Sequence, residues 1–107
     1  MPKQRTVTEI LSIPDAGNRV VPLIRNLAED SSNVFFCDHA NDRMIERTIT
    51  TTQVISCLRH GAVTEQPYTD THGNWRCTFQ HVISGDRVNV SAAIDENKLI
   101  ITIITTF

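Results

Sequence analysis

Hydrophobic residues recur at helical spacing in the first part of the chain and at alternate positions in the second. Between Thr6 and Glu29 they fall three and four residues apart, which predicts one or two short helices. The apolar positions are Val7, Ile10, Leu11, Val20, Leu23, Ile24 and Leu27. Pro14 and Pro22 argue against one continuous helix, because Pro22 fits only if its helix begins a few residues before it. Val34–Phe36 is predicted to be a brief strand or a buried linker.

Two further helices joined by a tight corner are predicted between residues 38 and 61. Asp38 suits the N-cap of a helix from about His39 to Arg47, because its carboxylate can accept hydrogen bonds from backbone N–H groups. Thr50 and Gln53 have the spacing of a capping box that opens the second helix. Gly61 is expected to end it.

From Ala62 onward the hydrophobic period is two, which predicts β-strands. The alternating apolar positions include Trp75, Cys77, Phe79, Val88, Val90, Ala92 and Ile94. The segments between these runs contain glycine, asparagine and aspartate, which favour turns. An antiparallel meander of three or four strands is expected. Leu99–Ile104 is apolar on both faces, so this last strand is predicted to lie inside the sheet.

These elements predict an α+β fold in which N-terminal helices pack on one face of an antiparallel meander. The 107 residues are expected to form a single domain, because this length suffices for one core without disulfides or metal. The three cysteines cannot all pair and lack Cys-x-x-Cys spacing, so free thiols are expected. No apolar run is long enough to span a bilayer, and a cytoplasmic protein without membrane contact is expected.

The charge distribution argues against strong, non-specific nucleic-acid binding. The formal net charge is −2, and neither half of the chain carries an excess of basic residues. Proteins that grip nucleic acids without specificity usually present a cationic tail or face.

The spacing of His39, Arg43 and Arg47 sets one imidazole and two guanidiniums in a row along one side of a helix. An imidazole can transfer protons near neutral pH, and guanidiniums bind phosphate oxygens. The alternative is an ordinary exposed helix face on which the arginines pair with Asp42 and Glu46.

A second set of polar residues lies on two neighbouring predicted strands. In a simple hairpin register these side chains project from the same face: Arg76, Thr78, Gln80, Arg87, Asn89 and Ser91. A patch with two cations suits a phosphate backbone or an acidic partner. The alternative is the solvent-facing surface of a sheet covered on its other side only.

No metal or cofactor site is predicted. Each cysteine lies near a histidine, but none of the three pairs has the ligand spacing of a zinc site. The glycine-rich phosphate loop, the dinucleotide fingerprint, the nucleophile elbow and the His-Glu-x-x-His motif are absent from the sequence. A metal- or thiol-based sensor is therefore the weakest of the functional alternatives.

The order of several short motifs resembles the domain of unknown function 4258 family. The motifs are His39-Ala40-x-x-Arg43-Met44-x-x-Arg47-x-Ile49, Leu58-Arg59-x-Gly61, Gly73-Asn74-Trp75-Arg76 and the late Ile-Thr strand. The resemblance covers residues 34–107, and residues 1–33 resemble a helical extension found in some members. The helix-then-sheet layout is similar to that of small bacterial toxin ribonucleases of the RelE and BrnT kind.

That similarity implies metal-independent RNA cleavage, with RNA or the ribosome as target and a cognate antitoxin as partner. His39 would act as base or acid, and Arg43, Arg47, Arg76 and Arg87 would hold phosphates. Gln80 and Asn89 would complete the substrate-binding surface. Such toxins are usually basic, whereas this chain is slightly acidic. The alternative is a non-catalytic interaction domain that binds a partner protein or nucleic acid through the same polar sheet face.

Overall fold

The computed structural model describes the backbone of residues 13–107 and the side chains from Asn18 onward. The first helix, α1, runs without interruption over Ile13–Leu27 and includes Pro22. The prediction that Pro22 lies near the start of its helix is therefore wrong. Pro22 and the residue four positions before it, Asn18, are both exposed, so water can satisfy the carbonyl that proline leaves without a donor. The helical positions predicted at Val7, Ile10 and Leu11 lie outside the described residues.

The predicted pair of helices is confirmed, with α2 at Asp38–Arg47 and α3 at Thr51–His60. Asp38 is the first residue of α2 and not its N-cap, because Cys37 takes the capping position without a side-chain hydrogen bond. The Asp38 carboxylate still lies in the first turn, where its negative charge interacts favourably with the positive end of the helix dipole.

Both hydrogen bonds of the predicted capping box are present at the start of α3. The Thr50 hydroxyl accepts from the Gln53 backbone N–H at 3.1 Å, and the Gln53 side chain accepts from the Thr50 N–H at 2.8 Å. Gly61 follows α3 as predicted, but its φ of −71° is open to any residue. Glycine is needed there because an added Cβ would lie 2.5 Å from the Cys57 carbonyl oxygen and 2.8 Å from that of Gln80.

Five strands form one sheet in the described part of the chain. They are β1 (Val34–Phe36), β2 (Ala62–Thr69), β3 (Trp75–Ile83), β4 (Asp86–Asp95) and β5 (Ile100–Thr106). Their spatial order is β1-β5-β4-β3-β2. Strands β2 to β5 are the predicted antiparallel meander. The brief segment Val34–Phe36 adds a parallel strand beside β5, so the sheet is mixed and not antiparallel throughout.

The core lies between the three helices and one face of the sheet, which confirms the predicted α+β layering. The helices contribute Val20, Ile24, Ala40, Met44, Val54, Cys57 and Leu58, and the sheet contributes Cys77, Phe79, Val88, Val90, Ala92, Ile94, Ile101 and Ile103. Strand β5 lies between β1 and β4, as its apolar sequence predicted. Its second face is only half-buried, because no helix among the described residues covers that side.

The sharp turn between β3 and β4 fixes which side chains of the two strands face each other. Ser84 and Gly85 both have positive φ, at 53° and 85°, as a two-residue type I′ hairpin requires. Ile83 is consequently paired with Asp86, and each later pair follows in register.

All three cysteines are free thiols, as predicted, and Cys57 and Cys77 are buried. None of the helices in the described part of the chain combines the length and apolarity needed to cross a membrane.

Candidate functional site

The row His39, Arg43 and Arg47 lies on the outer side of α2. Ala40 and Met44 are buried against the sheet, so the opposite side of the helix faces solvent. His39 and Arg47 are exposed, whereas Arg43 is half-buried. The predicted row therefore exists as a feature of the helix surface.

The side chain of Arg43 is partly buried and paired within α2. Its Nη1 donates to Glu46 Oε1 at 3.4 Å, and 33% of its side-chain surface is exposed. Its Nε is buried without a hydrogen-bond partner among the described residues. Part of this guanidinium is thus turned away from any ligand on the helix surface.

Arg47 belongs to a pocket where the end of α2 meets the end of the sheet. Thr48 ends the helix in the left-handed region, with φ 57°, and turns the chain into α3 at this point. The pocket has a volume of about 250 Å³ and is lined by Arg47, Thr48, Ile49, Gln53, Asp86, Arg87, Val88 and Phe107. Residues distant in sequence therefore form one concave surface, which we call the arginine pocket.

Two guanidiniums and one carboxylate line the arginine pocket. Neither Arg47 nor Arg87 has an ion pair or a side-chain hydrogen bond within the part of the chain that the structure describes, and both are exposed. Asp86 lies at the same pocket. The N–H groups of both arginines are consequently free to meet a ligand.

His39 and Arg43 do not line the arginine pocket. His39 precedes Arg47 by eight residues of α2, which corresponds to about 12 Å along the helix axis. Of the predicted row, only Arg47 lines this pocket together with a cation of the sheet.

The six polar residues predicted to share a sheet face do so. Arg76 pairs with Ala93, Thr78 with Ser91, Gln80 with Asn89 and Val82 with Arg87, and their side chains alternate with the buried ones. We call this side of the sheet the open face. It lies opposite the helices, so it is continuous with the arginine pocket only at the end of the sheet where Arg87 lies.

Gln80 and Asn89 form a connected pair beside that end. Gln80 Nε2 donates to Asn89 Oδ1 at 2.8 Å, and Asn89 Nδ2 donates to the Phe107 carbonyl oxygen at 3.0 Å. Phe107 also lines the arginine pocket. Asn89 is therefore connected to a residue of the pocket, and its hydrogen bond with Gln80 fixes the orientation of both amides.

Arg76 lies at the other end of the open face and already has a partner. Its Nε donates to Asp70 Oδ2 at 3.2 Å. Its cross-strand partner Ala93 lies six residues from Arg87 on β4, which amounts to about 20 Å. Arg76 is therefore separate from the arginine pocket.

Asp70 organises the turn between β2 and β3. It accepts hydrogen bonds from the backbone N–H groups of His72 at 2.8 Å and Asn74 at 3.1 Å. Partial burial acts to raise the pKa of Asp70, but these bonds and the Arg76 guanidinium together lower the pKa below its ordinary value of 3.8. The Asp70 carboxylate is thus charged near neutral pH and compensates Arg76.

Three residues of these surfaces were not predicted from the sequence, namely Glu65, Asp86 and Gln53. Thr78 donates its hydroxyl hydrogen bond to Glu65 Oε1 at 2.9 Å, which adds a carboxylate to the open face. Register shifts on either side of Glu65 in β2 put it there, and strict alternation does not reveal them. Asp86 and Gln53 reach the arginine pocket only through the packing of α3 beside β4.

The cysteine and histidine pairs considered for metal binding have other environments. Burial raises the pKa of Cys57 to about 12 and that of Cys77 to about 11, so neither thiol ionises readily. The rings of His60 and His81 lie 6.4 Å apart. No group of three or more potential ligands is found in the described region.

Comparison with protein families identifies one match. The model described as Domain of unknown function (DUF4258) matches residues 36–107, which comprise α2, α3 and strands β2 to β5. A comparison with curated protein sequences finds no match.

Proposed function

The chain belongs to the DUF4258 family, whose description assigns no activity, and from its own geometry we propose that it binds RNA by gripping a phosphate between Arg47 and Arg87. One observation carries this proposal. Two guanidiniums from different elements line a single pocket and lack a partner in the described part of the chain.

Like charges that converge are costly unless an anion joins them. A guanidinium presents its donors in a plane that matches two phosphate oxygens, so two of them can clamp one phosphate group. Among the side chains that line the pocket, Asp86 supplies one negative charge against these two positive charges.

RNA is favoured over an isolated phosphate because the polar surface continues beyond the arginine pocket. The oriented amides of Gln80 and Asn89 lie on the open face beyond it, joined to it through Phe107, and can hydrogen-bond to sugar or base edges. The chain is slightly acidic as a whole, so attraction is confined to this region. Few phosphates are then neutralised, and affinity for a single strand should fall with salt with a logarithmic slope of about −0.7 for the one phosphate that the two arginines clamp.

The stronger form of the proposal is a toxin-like ribonuclease, similar to the RelE and BrnT kind, that cleaves RNA or acts at the ribosome without metal. An RNA strand that follows α2 from Arg47 past Arg43 would reach His39. His39 would then transfer a proton as base or acid, and a cognate antitoxin protein would cover the same surface in the cytoplasm.

The alternative is a non-catalytic interaction domain that binds nucleic acid or a protein partner. The separation of His39 from the arginine pocket favours this alternative, because a group that holds a phosphate performs no proton transfer by itself. Binding and cleavage are therefore tested separately.

Binding is tested by fluorescence anisotropy with a short labelled RNA at low and moderate salt. We expect Arg47→Ala and Arg87→Ala each to weaken binding about ten-fold, because each removes a charge-assisted contact. Arg59→Ala is the matched control, since Arg59 is an exposed arginine at the end of α3 outside the pocket. Equal affinity of wild type and both pocket variants, or no binding by any of them, would overturn the proposal.

Cleavage is tested by incubating the same RNA with the protein in the presence of a chelator and resolving the products on a denaturing gel. The ribonuclease form predicts chelator-resistant products from wild type and none from His39→Ala. Induced expression should then arrest growth, and His39→Ala should relieve the arrest. RNA binding without products would leave the interaction domain as the function.

A further inference from the structure

One row of side chains crosses the whole open face. The strand registers pair Phe35 with Thr102, Thr102 with Ala93, Ala93 with Arg76 and Arg76 with Tyr68. The row therefore contains one residue from each of the five strands and has an aromatic ring at each end. We call it the aromatic row.

The two rings lie on the two edge strands of the described sheet. Phe35 is 51% exposed and Tyr68 is 43% exposed, although both are large apolar side chains. Between them, Ala93 and Thr102 are small and Arg76 lies beside Tyr68. Four strand spacings separate the two ends of the row by about 19 Å. The neighbouring positions on one side of the row, Thr78, Ser91 and Thr105, carry small hydroxyl side chains, whereas Asp95 and Ile100 lie on its other side.

Beside the aromatic row, one positive charge is compensated and one carboxylate has only a neutral hydrogen-bond donor as its partner. Arg76 is paired with Asp70, and Glu65 accepts a hydrogen bond from Thr78 nearby. This part of the open face thus attracts phosphates less than the arginine pocket does. Uncharged, planar groups suit the row, whereas the charged backbone of a nucleic acid suits the pocket.

We propose that the open face is a platform for single-stranded RNA, on which Phe35 and Tyr68 each stack one base. This inference rests on the proposed RNA binding and specifies the class of RNA. Bases of a duplex are already stacked and paired, so only an unpaired strand can present base faces to exposed aromatic rings. The distance of about 20 Å between Arg76 and the arginine pocket requires a strand of several nucleotides.

The test compares three labelled probes of the same length, about 12 nucleotides. They are a single-stranded RNA, the same strand with abasic residues, and its duplex. We expect wild type to bind the single strand about ten-fold more tightly than either of the others, because stacking is available only to the first. Equal affinity for all three probes would overturn the inference.

Variants of the aromatic row make the test specific. Phe35→Ala and Tyr68→Ala should each weaken binding of the single strand about ten-fold and leave binding of the abasic strand unchanged. Phe35→Tyr and Tyr68→Phe keep a ring and should bind as wild type does. Val82→Ala is the control, because it shortens an exposed apolar side chain of the same face outside the row. Circular dichroism verifies that every variant is folded.

The outcomes separate this inference from the proposed function. Loss of binding in Arg47→Ala and Arg87→Ala with no loss in Phe35→Ala and Tyr68→Ala would overturn the platform and leave the phosphate site in force. The reverse result would overturn the phosphate site alone. A mass of two chains by light scattering that Tyr68→Ala reduces to one would show that the open face binds a second copy, and would overturn the platform.

Discussion

Arg25 is a half-buried cation that connects three elements of the fold. Its Nη1 donates to the Leu58 carbonyl at 3.0 Å and its Nη2 donates to the Gly61 carbonyl at 2.8 Å. Its guanidinium also lies 5.5 Å from the centre of the Phe79 ring. Arg25 therefore supplies donors to carbonyls at the end of α3 and holds α1 against the sheet.

We predict that Arg25→Met lowers the free energy of unfolding by about 2–4 kcal/mol, because two carbonyls lose charge-assisted hydrogen bonds while the apolar stem is retained. Urea unfolding followed by circular dichroism measures the change. Arg59→Met is the control, because that arginine is exposed and makes no side-chain hydrogen bond within the described residues. A loss no larger than the control's would contradict this role.

The ionisation of Asp70 makes the free energy of unfolding depend on pH. Its folded-state pKa is lowered, so its contribution is present above the ordinary value of 3.8 and is lost as the pH falls through the lower folded value. We predict that Asp70→Asn is less stable than wild type near pH 7 and that the difference disappears as the pH falls below about 3.8. Urea unfolding across this pH range measures it, with the exposed Asp42→Asn as background. A difference independent of pH would show that the charge of Asp70 is unimportant.

At the scale of elements, a structural feature could be predicted when all the residues that determine it lie in one short segment of the chain. The capping box of α3 requires only Thr50 and Gln53, and both of its hydrogen bonds are present. The observed N-cap of α2 lies one residue before the predicted one. Cys37 and Asp38 can both stand at a helix start, and only packing selects between them. Strand β1 was ambiguous, because its three residues gain a partner only from distant β5.

Helix α1 continues through Pro22 at an energetic cost that should be measurable. We predict that Pro22→Ala raises the free energy of unfolding by about 1–3 kcal/mol, because alanine restores a backbone donor and removes the ring from the preceding turn. Thermal or urea unfolding provides the measurement. Asn26→Ala is the matched control, since it improves helix propensity at an exposed position of α1 without restoring a hydrogen bond. Equal effects of the two substitutions would indicate that proline is accommodated without strain.

At the scale of the whole molecule, the period of two was enough to predict the open face. Alternation assigned Arg76, Gln80, Arg87 and Asn89 to one side, and the registers agree. It could not reveal that Arg47 lines one pocket with Arg87 or that Arg76 forms an ion pair with Asp70. Those contacts depend on how α2 and the β2–β3 turn pack, which no spacing within one element specifies. The catalytic role of His39 stays a prediction.

Strand β5 has a further significance for synthesis. Of the strands that the structure describes, it is the last to leave the ribosome. Within residues 13–107, β1 pairs with β5 alone, and β4 depends on β5 along one edge. Until residues 100–106 have emerged, the helices and the meander cannot enclose their common apolar face. Nascent chains of this protein therefore expose that apolar face to aggregation and to chaperones until β5 has emerged.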